Sequence, residues 1–317
     1  MRSKSVLTGS SNTFIGQALP ARRFDTVSLL FMSPAGLLLL FLFVIPIGYS
    51  FYLGLTNLQL IGPNSIHYRF TGLTNIWAMF RDREFYHSLW VTLLFVVGSG
   101  AVGSTIAGLA LAMLIQSGNR LLGAIVGGVA LLSCTLPAVT VAVMWHATTT
   151  VDGIFPFLLG APKTELLYHY PMTVVSMANV WWLSGLAMLM FGAALRNISE
   201  EMLEAATLER ANALQRFFKI ILPSLRPTII TAALLMSLLS FGNFTLVFLM
   251  TGGGPANATN ILPLYSYVQG FTYHRLAFGA ALGNVIVLMS AVLGVAFVVL
   301  GQISGRRSRT KIEGADE

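Results

Sequence analysis

The chain has 317 residues, is 55% hydrophobic and only 10% charged, and has a mean hydropathy of +0.75. Soluble domains carry about 25% charged residues, so this composition excludes an ordinary soluble fold and points to the bilayer. The net charge of +7 is accounted for below by topology and needs no nucleic-acid partner.

Six apolar stretches read as membrane spans: residues 28–53, 88–115, 121–146, 172–195, 228–250 and 278–301. A helix needs about 20 apolar residues to cross the hydrocarbon core. None of the six contains Asp, Glu, Lys or Arg; each would cost about 2.5–3.5 kcal/mol near the bilayer centre. The first run exceeds the roughly 7–15 residues of a signal's apolar region, and no small-residue cleavage site follows it, so it reads as an uncleaved helix. The expectation is an all-α membrane protein with six transmembrane helices. Residues 1–27 form an N-terminal tail, 28–301 the transmembrane domain and 302–317 a basic C-terminal tail.

Pro34, Pro46 and Pro137 predict local bends. In the second span Gly100, Ser104, Gly108 and Ala112 recur every four residues, a flat stripe for close helix approach, with Ser99, Gly103 and Ala107 beside it. The single cysteine, Cys134, has no disulfide partner and reads as a small buried hydrophobe.

Six spans put both termini on one side. If that side is the cytoplasm, it holds Arg2, Lys4, Arg22, Arg23, Arg120, Arg196, Arg210, Arg216, Lys219, Arg226, Arg306, Arg307, Arg309 and Lys311. The other side holds Arg69, Arg81, Arg83, Lys163 and Arg275. The split is 14 against 5 of the 19 basic residues, a clear positive-inside bias that suits anionic inner-leaflet lipid. Tyr49, Tyr52, Tyr86, Trp90 and Trp145 fall at the outer ends, as an aromatic belt would. The localisation expected is the cell membrane.

No G-x-x-x-x-G-K-[ST] loop occurs, and no span carries a carboxylate for proton or sodium coupling. His67, His87, His146, His169 and His274 are scattered through separate outer segments, so no catalytic or metal site is expected. A secondary carrier would want an intramembrane acid. A transporter built this way is driven by something attached to it.

The loop of residues 197–227 is long enough for two short helices. Ser199 is a candidate N-cap, with Glu200 and Glu201 in the first turn. Met202, Leu203, Ala206 and Leu208 can form one apolar face; Phe217, Phe218, Ile220, Ile221 and Leu222, stopped by Pro223, form another. Such a loop can lie on the membrane or dock in a partner's groove, and physics alone favours neither.

Glu204-Ala205-Ala206, followed by Ala211, Gln215, Phe217 and Ile221-Leu222-Pro223, resembles the EAA loop of binding-protein-dependent ABC importer permeases. Gly72-Leu73-Thr74-Asn75, then Asp82, Phe85 and Thr92, resembles the GLxN region of the carbohydrate-type branch, which includes maltose and glycerol-phosphate permeases. The segment from Leu249 through Thr251-Gly252-Gly253-Gly254-Pro255, Ala258-Thr259, Tyr265 and Phe271 resembles its LTGGGP segment. Pro137 and Trp145 sit where that family has a Pro and a Trp. The resemblance implies an ABC permease fold and a non-catalytic subunit. It implies ATPase docking through Glu204, Ala205, Ala206, Glu209, Arg210, Gln215, Phe217 and Pro223. The implied partners are a second homologous permease, two copies of a cytoplasmic ABC ATPase and an extracytoplasmic solute-binding protein. The resemblance further implies that this chain binds no cofactor and that ATP and Mg are held by the ATPase. Where the family has Asp-Gly, this chain has Glu209-Arg210. A Cβ disfavours a left-handed turn by about 1–2 kcal/mol, so the turn is expected to shift to Asn212, or the first helix to run about half a turn further.

Polar residues inside the spans are pathway candidates: Asn179, Trp181, Trp182, Ser184, Ser237, Ser240, Asn243, Thr245 and Asn284. Hydrogen bonding between helices is the alternative for each. A neutral, aromatic lining suits a sugar or oligosaccharide, whereas a glycerol-phosphate substrate would want a cation. The Gly252–Gly254 run is expected to be flexible.

Overall fold

The computed structural model describes residues 26–116, 120–161 and 163–313. Of the expected N-terminal tail only residues 26 and 27 fall within these, and residues 314–317 fall outside them. The chain forms two compact units, residues 1–48 and 49–317.

The first unit holds helix α1 (Thr26–Leu39) and a π-helical segment, Leu40–Val44, that leads into α2 (Ile45–Gly54). Pro34 lies inside α1 and Pro46 inside α2, and neither ends its helix. From residue 30 to 48 every side chain is exposed. A run apolar on all faces is a poor surface for water and a good one for lipid.

The second unit begins with a loop closed by an isolated bridge between Thr56 and Phe70. It continues through α3 (Thr74–Arg81), α4 (Arg83–Leu93), a π-helical stretch Leu94–Ser104 and α5 (Thr105–Ile115). Next come α6 (Arg120–Thr135), α7 (Ala138–Thr149), α8 (Ile154–Leu158), α9 (Leu166–His169) and the 26-residue α10 (Pro171–Arg196). The remainder is α11 (Glu200–Leu208), α12 (Ala213–Arg216), a π-helical turn Phe217–Ile221, α13 (Leu222–Ser224), α14 (Arg226–Phe241), α15 (Phe244–Thr251), α16 (Leu262–Tyr267), a π-helical turn Val268–Thr272 and α17 (Leu276–Glu313). The helix α17 runs on through 302–313, most of the segment expected to be a separate tail.

Four helical runs are long and apolar enough to cross a membrane: Leu30–Gly54, Arg83–Ile115, Pro171–Arg196 and Leu276–Val299. Two expected spans are broken. In the third, Leu121–Thr135 and Ala138–Thr149 meet at 114°, because Pro137 is extended (ψ 145°) and offers no N–H to continue the helix. What Pro137 makes is a sharp corner, well beyond a local bend. The expected fifth span is two helices, α14 and α15, separated at Gly242–Asn243. Ahead of it, Ala213–Ser224 and Arg226–Phe241 are bent by 68°. Counting each bent pair as one span gives up to six.

The centre of the second unit is α10, about 39 Å long at 1.5 Å per residue. It is approached so closely that side chains would not fit: a Cβ on Gly108 would lie 2.3 Å from the Ala187 Cβ, and one on Gly185 only 1.9 Å from the Ala130 carbonyl oxygen. The small-residue stripe of the second span is therefore a packing face, with Gly100 against Ser240. Tyr49, Tyr52, Tyr86 and Trp90 are exposed, but Trp145 is buried in the core with Val141, Leu246 and Met250, so it is no belt residue. Cys134 is half-buried and donates to the Leu131 carbonyl at 3.2 Å.

Candidate translocation and coupling sites

About a third of the way along α10 a polar cluster joins that helix to the Leu94–Ser104 stretch and to both sides of the α14–α15 break. The Asn179 amide donates to Ser99 Oγ and to Ser240 Oγ, both at 2.8 Å, and its oxygen accepts from Asn243 Nδ2 at 3.0 Å. The Asn243 oxygen in turn accepts from the Leu246 amide at 3.4 Å and caps α15. All four side chains are buried. The cluster therefore sits at the break between α14 and α15, the kind of discontinuity where backbone groups come free at membrane depth. Ser99 was not among the sequence-derived candidates; its signal lay in the small-residue stripe. Ser237 donates to the Ala233 carbonyl at 2.7 Å.

The other break has its own partner on α10. The Trp182 indole donates to the Leu136 carbonyl at 3.0 Å, just before Pro137. Its neighbour Trp181 faces elsewhere. With Trp145, 6.3 Å away between ring centroids, and Phe155, stacked on Trp145 at 5.3 Å, it lines a cavity of about 1270 Å³. Ser99, Thr173, Ser176 and Ser184 are also among the residues lining this cavity, but its wall is overwhelmingly apolar, with Leu94, Leu111, Met144 and Met177; Ser184 Oγ donates to the Trp181 carbonyl at 2.9 Å. Two candidates fall outside this group. Asn284 and Ser50 hold each other reciprocally, Ser50 Oγ donating to Asn284 Oδ1 at 3.0 Å and Asn284 Nδ2 to the Ser50 carbonyl at 3.2 Å. Thr245 is half-buried on α15.

At the far end of α10 lies the loop of residues 197–227. Ser199 occupies the N-cap of α11 but makes no side-chain capping bond. Ala206 is buried, whereas Met202 is exposed and Leu208 86% exposed, so the expected four-residue apolar face is split between body and surface. Glu204, Ala205, Glu209, Arg210, Gln215 and Pro223 are exposed and Phe217 half-buried. Glu204, Leu203, Thr207 and Arg216 frame a cavity of about 480 Å³ between α11 and α12.

The expected shift of the turn is corrected. Arg210 itself has φ +57°, α11 ends at Leu208, and Asn212 is extended at φ −71°. The amide of Arg210 donates to the Thr207 carbonyl at 3.0 Å and that of Ala211 to the Ala206 carbonyl at 2.9 Å. These are the two bonds of a Schellman closure, with Arg in the place glycine favours. Asn212 starts the next helix: its side chain accepts from the Gln215 amide at 2.7 Å while Gln215 Oε1 accepts from the Asn212 amide at 3.0 Å, a capping box. Two closures back to back outweigh one strained residue.

The GLxN and TGGGP segments meet at the opposite end. Gly72 has φ +61°, and Asn75 donates to the carbonyls of Gly54 (2.8 Å) and Thr56 (2.7 Å). Asp82 caps α4 through the Glu84 amide at 2.9 Å and accepts from the Tyr265 hydroxyl. Burial foremost, then Asp82, pushes the Tyr265 phenol above its ordinary pKa, so it stays a donor. Thr92 Oγ1 accepts from the Leu262 amide at 2.7 Å. The glycine run is a tied turn, in contrast to the flexible loop expected: Gly253 N donates to Thr251 Oγ1 at 3.3 Å, Thr259 N to the Gly253 carbonyl at 3.1 Å, and Thr251 and Thr259 share a 2.6 Å hydroxyl bond. Two histidines bond backbone oxygens here, His146 that of Met250 and His87 that of Asn257, each at 3.0 Å. Among the described residues no group of His, Cys, Asp and Glu could hold a metal.

The family model for the "binding-protein-dependent transport system inner membrane component" matches residues 104–310. The chain belongs to this family. Among relatives of this permease, the probable ABC transporter permease protein YesP of Bacillus subtilis is 28% identical, over 94% of this chain and 96% of its own length. The trehalose transport system permease protein SugA of Mycobacterium tuberculosis is 29% identical, over 92% of this chain and 95% of its own. The fold is shared with a chain of a bacterial alginate ABC transporter crystallised with an alginate-bound periplasmic protein: TM-score 0.71, 17% identity, 89% of this permease and 95% of that chain.

Proposed function

We propose that this permease is the non-catalytic membrane subunit of an ATP-driven importer for a neutral sugar or oligosaccharide. It spans the cell membrane with both termini in the cytoplasm and forms the pathway with a second permease. An extracytoplasmic binding protein delivers the solute to the end bearing the tied glycine turn. Two cytoplasmic ATPases hold ATP and Mg and drive transport through the loop of residues 197–227. The observation that carries this reading is the construction of that loop: anchored by Ala206, closed at both turns, and presenting Glu204 and Leu208 outward. The four exposed acids Glu200, Glu201, Glu204 and Glu209 would be repelled by an anionic inner leaflet, which favours a partner's groove over the lipid surface. The solute class rests on the uncharged polar and aromatic groups along α10, together with the trehalose name of the relative. In this reading the cluster of Asn179, Ser240 and Asn243 and the wall of Trp181 and Ser184 mark the level at which solute is held.

The test is Glu204→Lys in the assembled importer. It should leave membrane insertion intact and abolish ATP-driven uptake. Wild-type uptake in that variant would remove the docking role. Screening neutral sugars against the cognate binding protein by thermal shift identifies the solute.

A further inference from the structure

Four aromatic rings form an unbroken series outside both the polar cluster and the cavity. Phe244 stacks on Phe248 with centroids 5.1 Å apart and planes 15° apart. Tyr267 stands 5.3 Å from each of them, and Phe271 lies 5.3 Å beyond Tyr267, tilted by 34°. Rings whose role is core packing are shut away, as Phe95 and Phe191 are. These are not: Phe248, Tyr267 and Phe271 are 38%, 37% and 54% exposed.

The position of the series gives it a direction. It starts at Phe244, the residue after Asn243 of the polar cluster. It ends at Phe271, next to the turn whose His274 carbonyl is bonded by the Leu60 amide of the 55–73 loop at 2.9 Å. It thus runs from the loop end of the bundle to the break between α14 and α15. Its chemistry is neutral. Arg275, the nearest cation along the chain, is engaged by Gln269 at 3.3 Å and by the Phe278 ring at 4.5 Å.

We infer that Phe248, Tyr267 and Phe271 form a sugar-binding track, on which the C–H faces of pyranose rings stack as the solute moves from the binding protein toward Asn243. Aromatic faces carry partial negative charge that attracts the weakly positive C–H groups of a sugar face. A continuous row of such faces offers successive, similar sites, weak enough to leave. This track rests on the sugar-permease reading above.

The experiment uses the complete importer in proteoliposomes, with radiolabelled glucose, trehalose, maltose and maltotriose as probes. The double variant Tyr267→Leu/Phe271→Leu keeps an apolar surface and removes two ring faces. Uptake of whichever sugar the wild type carries should fall at least fivefold, while ATP hydrolysis stimulated by the loaded binding protein stays within twofold. Tyr267→Phe/Phe271→Tyr, which keeps the rings, should restore uptake. Unchanged uptake in the Leu variant overturns the track and leaves the permease reading intact, as does a parallel loss of stimulated ATP hydrolysis, which would mark a role in docking or folding. A wild-type importer that carries none of the four sugars overturns the track together with the sugar reading.

Discussion

Tyr265 donates its hydroxyl to Asp82, whose other carboxylate oxygen caps α4 through the Glu84 amide at 2.9 Å. One acid thus ties the start of a membrane helix to α16, the short helix that follows the glycine turn, through a residue 183 positions further on. A hydrogen bond to a charged group contributes about 1.5–3 kcal/mol, and Tyr265 is only 2% exposed. Tyr265→Phe should lower the melting temperature of the purified complex. The raised phenol pKa adds a sign. The folded state holds this proton more tightly than the unfolded chain, whose phenol titrates near 10.0. Stability is therefore full below about pH 10 and falls as pH rises further toward the folded value. Thermal melts at rising alkaline pH should show that decline in the wild type, and less of it in Tyr265→Phe.

Arg210 holds a left-handed conformation that costs an L-residue about 1–2 kcal/mol. Arg210→Gly should raise stability by about that amount, because the Schellman bonds of residues 210 and 211 do not involve the side chain. Denaturation of the variant in detergent measures it; a loss of stability would mean that the Arg210 side chain is itself a structural tie.

Leu208 is 86% exposed, so a charge placed there has no core to disturb. Leu208→Glu is expected to leave the melting temperature of the isolated permease unchanged and to weaken capture of the ATPase at least tenfold in pull-down titrations. Equal capture would shift the docking surface away from α11.

Asn179 makes three side-chain hydrogen bonds. Such bonds between membrane helices average about 0.6 kcal/mol each, so Asn179→Leu should cost about 2 kcal/mol, read from unfolding in mixed micelles. Gly185→Val should cost more, since the obstacle at 1.9 Å is the Ala130 backbone carbonyl, which cannot swing aside.

The apolar runs and the two short helices of the 197–227 loop were legible in the sequence because their signals are local: length, missing charge, and a few residue types at short spacing. The corner at Pro137 was half-legible, since proline announces a disturbance without its angle. The break at Gly242–Asn243 was hidden, for it contains no proline and is sustained by Asn179 from another helix. The same limit applies to the polar residues. An asparagine in an apolar run looks alike whether it faces a solute or, like Asn179, two serines and an asparagine. Trp181 and Trp182 are adjacent in sequence yet serve different places, one a cavity wall and the other a lone carbonyl. Arg210 misled for a different reason. Its intrinsic preference was read correctly, but the paired closures around it were stronger.

Those closures have a practical consequence. Across residues 199–216 only Ala206 is buried in the body, and both turns are held by bonds within the segment itself. The segment is a self-contained cassette. On the docking role proposed for this loop, exchanging its outward residues for those of another permease would re-address the subunit to a different motor without rebuilding the bundle, and motor choice would evolve separately from cargo choice.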